Sequence, residues 1–262
     1  MRSSKATTNP NQLHFVGFSI RKALFKSNHR ALFNLTFCIS IICFSTHASA
    51  EIREDFASLD KWQTLTFDNI PQQSKYLIKI DESGDRYLSM QSQGGGSGLI
   101  YKEKFNPYDL PILSWEWVVF KGIDGVDHFT KEGDDYPIRV YVLFEFDPDG
   151  ASYMNRLKYS TIKAIKGEYP PDSSLNYVWT TSEISKLEFR SPYTSRAAMI
   201  VLRDKSAKLG LWQFERVNIL DDYRRIFKKD PPRVATLAIM SDSDATGQST
   251  SAGLRNLKIR EN

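Results

Sequence analysis

Cysteine is nearly missing from this chain, and its placement decides what that means. The two cysteines, Cys38 and Cys43, both lie in the first fifty residues. Residues 51–262 have none, so that stretch forms no disulfide and performs no thiol chemistry. Histidine is almost as scarce, and of the four only His128 lies beyond residue 50. A zinc site of the usual nitrogen and sulfur type needs several such ligands. A histidine-based triad would depend on that single ring. The first fifty residues lack acidic side chains altogether and hold six basic ones.

A stretch so charged, joined to the residues at 31–50, reads as a leader. An apolar run of 14 residues, 31–44, precedes Ala48-Ser49-Ala50. A basic start, a short apolar stretch and small residues at alternate positions form a secretory signal. The run is shorter than the roughly 20 residues that span a bilayer. Bulky residues precede both cysteines, so a lipid anchor is not expected. Cleavage after Ala50 leaves 51–262 as the mature chain, with 29 basic against 31 acidic residues. The high isoelectric point is then a property of the leader. A net charge of −2 gives no reason to expect nucleic acid or an anionic membrane as partner. A periplasmic or extracellular monomer without a membrane-spanning segment is expected.

Helical periodicity is scarce, whereas period-2 alternation recurs throughout 51–262. Strands are predicted at 75–80, 86–92, 99–105, 113–120, 138–146, 175–180, 197–203, 211–219, 233–241 and 254–260. Turn residues separate them, as in an all-β sandwich. One short helix is predicted at 220–228, capped by Asp221, and 156–167 fits helix or strand equally. The ends, near Ile52 and Leu257, are expected to pair. Gly94–Gly96 sits in "QGGGSG" (93–98), which lacks the Lys and helix of a phosphate cradle and reads as a mobile connection.

Candidate chemistry gathers at three places. In "KEGDDYPIRVYVLF" (131–144), strand parity puts Ile138, Val140, Val142 and Phe144 on one face and Arg139, Tyr141, Leu143 and Glu145 on the other. Asp134, Asp135 and Tyr136 precede that strand. Trp115 with Trp117, and Tyr177 with Trp179, each share a face of their strands. Aromatic rings stack on sugar faces and Arg or Asp bonds hydroxyls, so these residues together are candidates for a glycan-binding wall. The competing expectation is that the tryptophans are core. Asp134 and Asp135 are candidate catalytic carboxylates, beside Glu116, Glu145, Asp221 and Asp222. A glycosidase needs two carboxylates about 5–9 Å apart, and neighbours on one strand point to opposite faces. Third, "SDSDATGQST" (241–250) spaces Asp242, Asp244 and Thr246 like the start of a calcium loop. Position twelve counted from Asp242 is Gly253, not an acid, which rejects an EF-hand. A looser calcium site at Asp242 and Asp244 competes with a plain turn, and no other cofactor is expected.

The segments 113–119, 131–144, 175–179, 210–227 and 235–247, in that order and spacing, resemble the bacterial family called domain of unknown function 3047. The resemblance implies a secreted, single-domain antiparallel sandwich of jelly-roll, concanavalin-like type with few short helices. It implies no catalytic residues. Members often have Arg or Lys between the two tryptophans, where this chain has Glu116. The expected function is a non-catalytic carbohydrate-binding sandwich. A glycoside hydrolase or lyase on the same fold, or an envelope structural protein, are the alternatives.

Overall fold

A computed structural model describes residues 51–149, 152–154, 156, 157, 159, 160 and 169–262. The expected leader, and most of 156–167, lie outside the described residues. Among the described residues, thirteen strands, numbered in chain order, fall into two sheets. The smaller holds β1 (Glu51–Glu54), β3 (Lys75–Ile80), β4 (Arg86–Gln93), β6 (Ile112–Lys121), β11 (Gln213–Asn218) and β13 (Ser249–Arg260). Its order is β11-β6-β13-β4-β3, with β1 beside the end of β13. The larger holds β2 (Trp62–Leu65), β5 (Gly96–Tyr101), β7 (Ile138–Phe144), β8 (Ser173–Trp179), β9 (Glu188–Ser191), β10 (Thr194–Arg203) and β12 (Ala235–Asp242), ordered β2-β5-β12-β7-β8-β10-β9. The predicted sandwich is therefore present, and the pairing of β1 with β13 closes its ends. It is not wholly antiparallel, because β10 runs parallel to β8.

Alternation explains the core. From β7, Ile138, Val140, Val142 and Phe144 point inward. The large rings of β6 and β8 meet them from opposite sheets, with Trp115 5.6 Å from Tyr177 and Trp117 5.7 Å from Trp179. Tilted and edge-on contacts of this kind add to the burial of aromatic surface. Trp117 also donates its indole N–H to Glu215 at 2.9 Å, which Arg203 pairs from the other side.

Helix α1 (Ile219–Phe227) shuts one end of the core, placing Tyr223 4.6 Å from Phe144. Its cap is Asn218, not Asp221. The Asn218 side chain accepts the N–H groups of Leu220 and Asp221, which the helix itself leaves unpaired. The glycine-rich stretch also differs from expectation. Gly96 opens β5 and is paired to Asp242 of β12. A Cβ on Gly96 would stand 2.7 Å from a carboxylate oxygen of the exposed Asp244, so a larger residue there would push that side chain aside. Among the described residues, no helix is long and apolar enough to cross a membrane.

Candidate functional site

Arg139 leaves β7 on the outer face of the larger sheet, where the 122–137 segment covers it. It is 4% exposed, Asp135 1%, Tyr136 0% and Asp134 9%. Arg139 donates to Asp242 through Nε at 3.0 Å and through Nη2, and reaches Asp134 at 3.2 Å. Its guanidinium lies 4.4 Å from the centre of the Tyr136 ring. Burial pushes the Asp242 carboxyl up to about 7 against the pull of Arg139, and pushes Asp134 up likewise. Tyr136 stacks on His128 at 4.3 Å. Nδ1–H of His128 donates to the Gly133 carbonyl at 2.8 Å, which leaves Nε2 to accept from the Thr180 hydroxyl. The one histidine of the sandwich is thus a neutral structural residue.

The knot also clasps a distant turn. Asp135 accepts Ala245 N–H at 3.2 Å and Thr246 N–H at 2.7 Å. Asp135, Asp242 and Asp244 bring carboxylate oxygens within 4.8 Å of one another, so the structure adds Asp135 to the expected calcium pair. Both oxygens of Asp135 already accept backbone N–H groups, and both of Asp242 accept from Arg139, with Tyr136 N–H on one. A calcium ion needs six to eight oxygens. An ion held here would share these oxygens with Arg139 and the backbone N–H groups.

These facts correct two expectations. Asp134, Asp135, Tyr136 and Arg139 form no open ligand rim, and a carboxylate 1% exposed beneath a loop cannot reach a glycosidic bond. The tryptophan wall faces inward. Trp115, Trp117, Tyr177 and Trp179 are all 0% exposed, because burying such large rings dominates core energetics. Tyr141 is half-buried, with its hydroxyl on Met240. Beside this segment, Tyr193 is 60% exposed with Lys131 5.3 Å from its ring centre; other aromatic and charged side chains that meet solvent together lie elsewhere.

They occupy the outer face of the smaller sheet. The run Trp212-Gln213-Phe214-Glu215-Arg216 enters and follows the edge strand β11, so Trp212, Phe214 and Arg216 point outward while Glu215 points in. Tyr87 of β4 meets Trp212 edge-on at 5.4 Å and Phe120 of β6 at 6.3 Å. Phe214 is 62% and Phe120 46% exposed. The rings close over Gly253, where a Cβ would lie 2.9 Å from Tyr87 and 3.1 Å from Trp212. Beneath them Arg255 stacks on Trp212 at 4.2 Å. Arg255 is fixed by Glu116 at 2.9 Å, Asp85 at 3.1 Å and Asp81. Glu116, between the two tryptophans, is the counter-charge of Arg255.

A sequence signal existed for this platform. The alternation of 211–217 puts two rings and an arginine on one face of a strand, a pattern a buried face seldom holds. A two-sheet sandwich with an aromatic and charged platform on one open face defines a β-sandwich protein. The chain belongs to the family described as protein of unknown function DUF3047, whose model matches residues 60–258. A search of curated proteins finds no sequence match. Among solved structures, the chain is similar to a family 11 carbohydrate-binding module from Clostridium thermocellum, in complex with a β-1,3-1,4-mixed-linked tetrasaccharide. The two share 10% identity and a TM-score of 0.40, over 81% of this chain and 96% of that one. It is also similar to the xyloglucanase domain of NopAA, a type three effector from Sinorhizobium fredii, at 8% identity and a TM-score of 0.39, over 79% and 100%. A lectin from Bauhinia forficata shares 10% identity and a TM-score of 0.34, over 82% and 99%.

Proposed function

We propose that this is an exported, non-catalytic glycan-binding protein that holds its ligand on the outer face of the smaller sheet. One observation carries the reading. Tyr87, Phe120 and Trp212 form a contiguous aromatic platform over a sheet, with the exposed Phe214 two residues past Trp212 on the same face, backed by an arginine held by three carboxylates. An exposed patch of that kind on a soluble domain marks an interaction surface. Rings whose edges are fixed by packing present flat apolar faces at little entropic cost. The hydroxyl-rich, CH-faced rings of a polysaccharide match such a surface. The leader read in residues 1–50 would deliver the protein to the periplasm or beyond, where such polymers lie.

The test is affinity electrophoresis and calorimetry of residues 51–262 against a panel of plant and envelope polysaccharides. Binding to at least one is expected, with Trp212→Ala and Phe214→Ala each weakening it about tenfold or more, as central aromatic contacts do. Absence of binding across the panel, or binding that ignores both substitutions, would overturn the reading. N-terminal sequencing of exported protein checks cleavage after Ala50.

A further inference from the structure

The row of strand positions next to the aromatic platform is cationic. Register places Arg216 of β11 opposite Ser114 of β6, Ser114 opposite Lys258 of β13, and Lys258 opposite Arg53 of β1. Neighbouring strands lie about 4.8 Å apart, so the three cations stand in one line across the sheet, with only a serine between two of them. A single backbone feature makes the line. Arg255 and Lys258 are three residues apart and on a regular strand would point to opposite faces. Asn256 adopts φ 54°, and the pairing of β13 with β6 slips between Arg255 and Lys258. This is a β-bulge, which adds one residue and resets the alternation. Leu257 and Ile259 therefore stay in the core, and Lys258 joins Arg255 on the outside.

The line is not used up by internal pairing. Among the described residues, Arg216 and Lys258 have no ion-pair or side-chain hydrogen-bond partner, and Arg53 has only Glu51 at 3.2 Å. That pair is 61% and 29% exposed, so it is screened and weak. Arg255 differs, because Asp81, Asp85 and Glu116 outnumber it. Across one face the charge is thus segregated: net acidic around Arg255 under the rings, positive in the row beside them. Arg216 lies two residues past Phe214 on the same side of β11, so ring and cation are about 7 Å apart along the strand.

We infer that the glycan held on this face is an acidic one, a uronate-containing polysaccharide. Its sugar rings lie on Trp212 and Phe214, and its carboxylates meet Arg216, Lys258 and Arg53. This rests on the glycan reading above and names the class of that ligand. A flat aromatic surface beside a line of cations fits a polymer that offers apolar ring faces and regularly repeated carboxylates. A guanidinium matches a carboxylate in a two-bonded fork. The slightly acidic total charge of 51–262 hides this, since net charge averages over the whole surface.

The experiment compares polygalacturonate with the same polymer after methyl esterification, which keeps the sugar rings and removes the charge. Calorimetry is run on residues 51–262, on Arg216→Gln/Lys258→Gln, and on Trp212→Ala. We expect polygalacturonate to bind at least about tenfold more tightly than the esterified polymer, with an advantage that shrinks as salt screens charge. Arg216→Gln/Lys258→Gln should erase most of the difference at unchanged Tm, while Trp212→Ala should weaken both polymers. Equal binding of the two polymers, or an advantage that survives the double substitution, would overturn the acidic class and leave the platform standing. A single-stranded oligodeoxynucleotide of matched charge is a further arm, and binding as tight as polygalacturonate would overturn a sugar ligand. Binding of only neutral polysaccharides, lost in Trp212→Ala, would likewise end this inference alone. Binding to nothing in the panel would end the glycan reading itself.

Discussion

Arg139 shows how a polar side chain can be recognised correctly in sequence and still be assigned the wrong task. Its pairing with Asp134 follows from five-residue proximity, but its closer partner Asp242 lies 103 residues away on β12. Removing one side of a buried ion pair strands the other charge. Arg139→Leu is therefore expected to destabilise the fold by about 3–5 kcal/mol, read by urea denaturation, while glycan binding by the folded variant is retained. Gly253 makes the opposite prediction. A Cβ there meets Tyr87, Val118 and Trp212 at 2.9–3.1 Å, so Gly253→Ala should displace the rings. Binding should weaken several-fold for a stability loss of about 1 kcal/mol. His128 sets a pH dependence. Burial pushes its pKa down from 6.5 to about 4, so the unfolded chain takes up this proton first as pH falls. The stability tied to the neutral ring is complete above pH 6.5 and lost between 6.5 and about 4, on the order of 3 kcal/mol. Asp242 and Asp134, whose carboxyls are pushed up, act in the opposite direction over the same range, so the denaturation midpoint of the parent should fall relative to that of His128→Asn as pH drops through it. Parity told which residues share a face. It could not tell which face looks inward, because Trp, Tyr and Arg are at home on either.

Elements were legible wherever alternation was clean and short-ranged. β3, β6 and β7 lie within a residue or two of their expected places, and the ends pair as expected although β13 begins at Ser249, five residues before its expected start, since pleat and hydrophobic pattern are local. Three things were not local. The parallel pairing of β10 with β8 depends on β9 folding back onto β10 as a hairpin, and no residue of β8 announces it. The bulge at Asn256 resides in one dihedral, and "LRNLKIR" reads as an unbroken strand without it. The helix cap sits at the end of β11, where Asn218 finishes one element and starts the next. Asn218→Ala should cost about 1 kcal/mol through two unanswered N–H groups. Its Tm should drop, with the platform on the preceding strand still binding. An Asp221→Ala protein, by contrast, should keep the cap intact.

At the scale of the whole molecule, the sandwich divides its aromatic residues by role. Tryptophans on facing sheets fuse the two layers, and a separate set of rings is turned to solvent on one outer face. That division could be anticipated as a sandwich with many rings, but its assignment required knowing which sheets face each other. It also gives the protein a built-in optical reporter. Of the five tryptophans, Trp62, Trp115, Trp117 and Trp179 are at most 5% exposed, while Trp212 is half-buried on the platform with a guanidinium against its ring. Emission from four of them arises in a dry interior beyond the reach of a dissolved quencher. The quenchable fraction of the native spectrum therefore belongs to Trp212 alone, and its disappearance on titration would count occupied platforms directly, without a label.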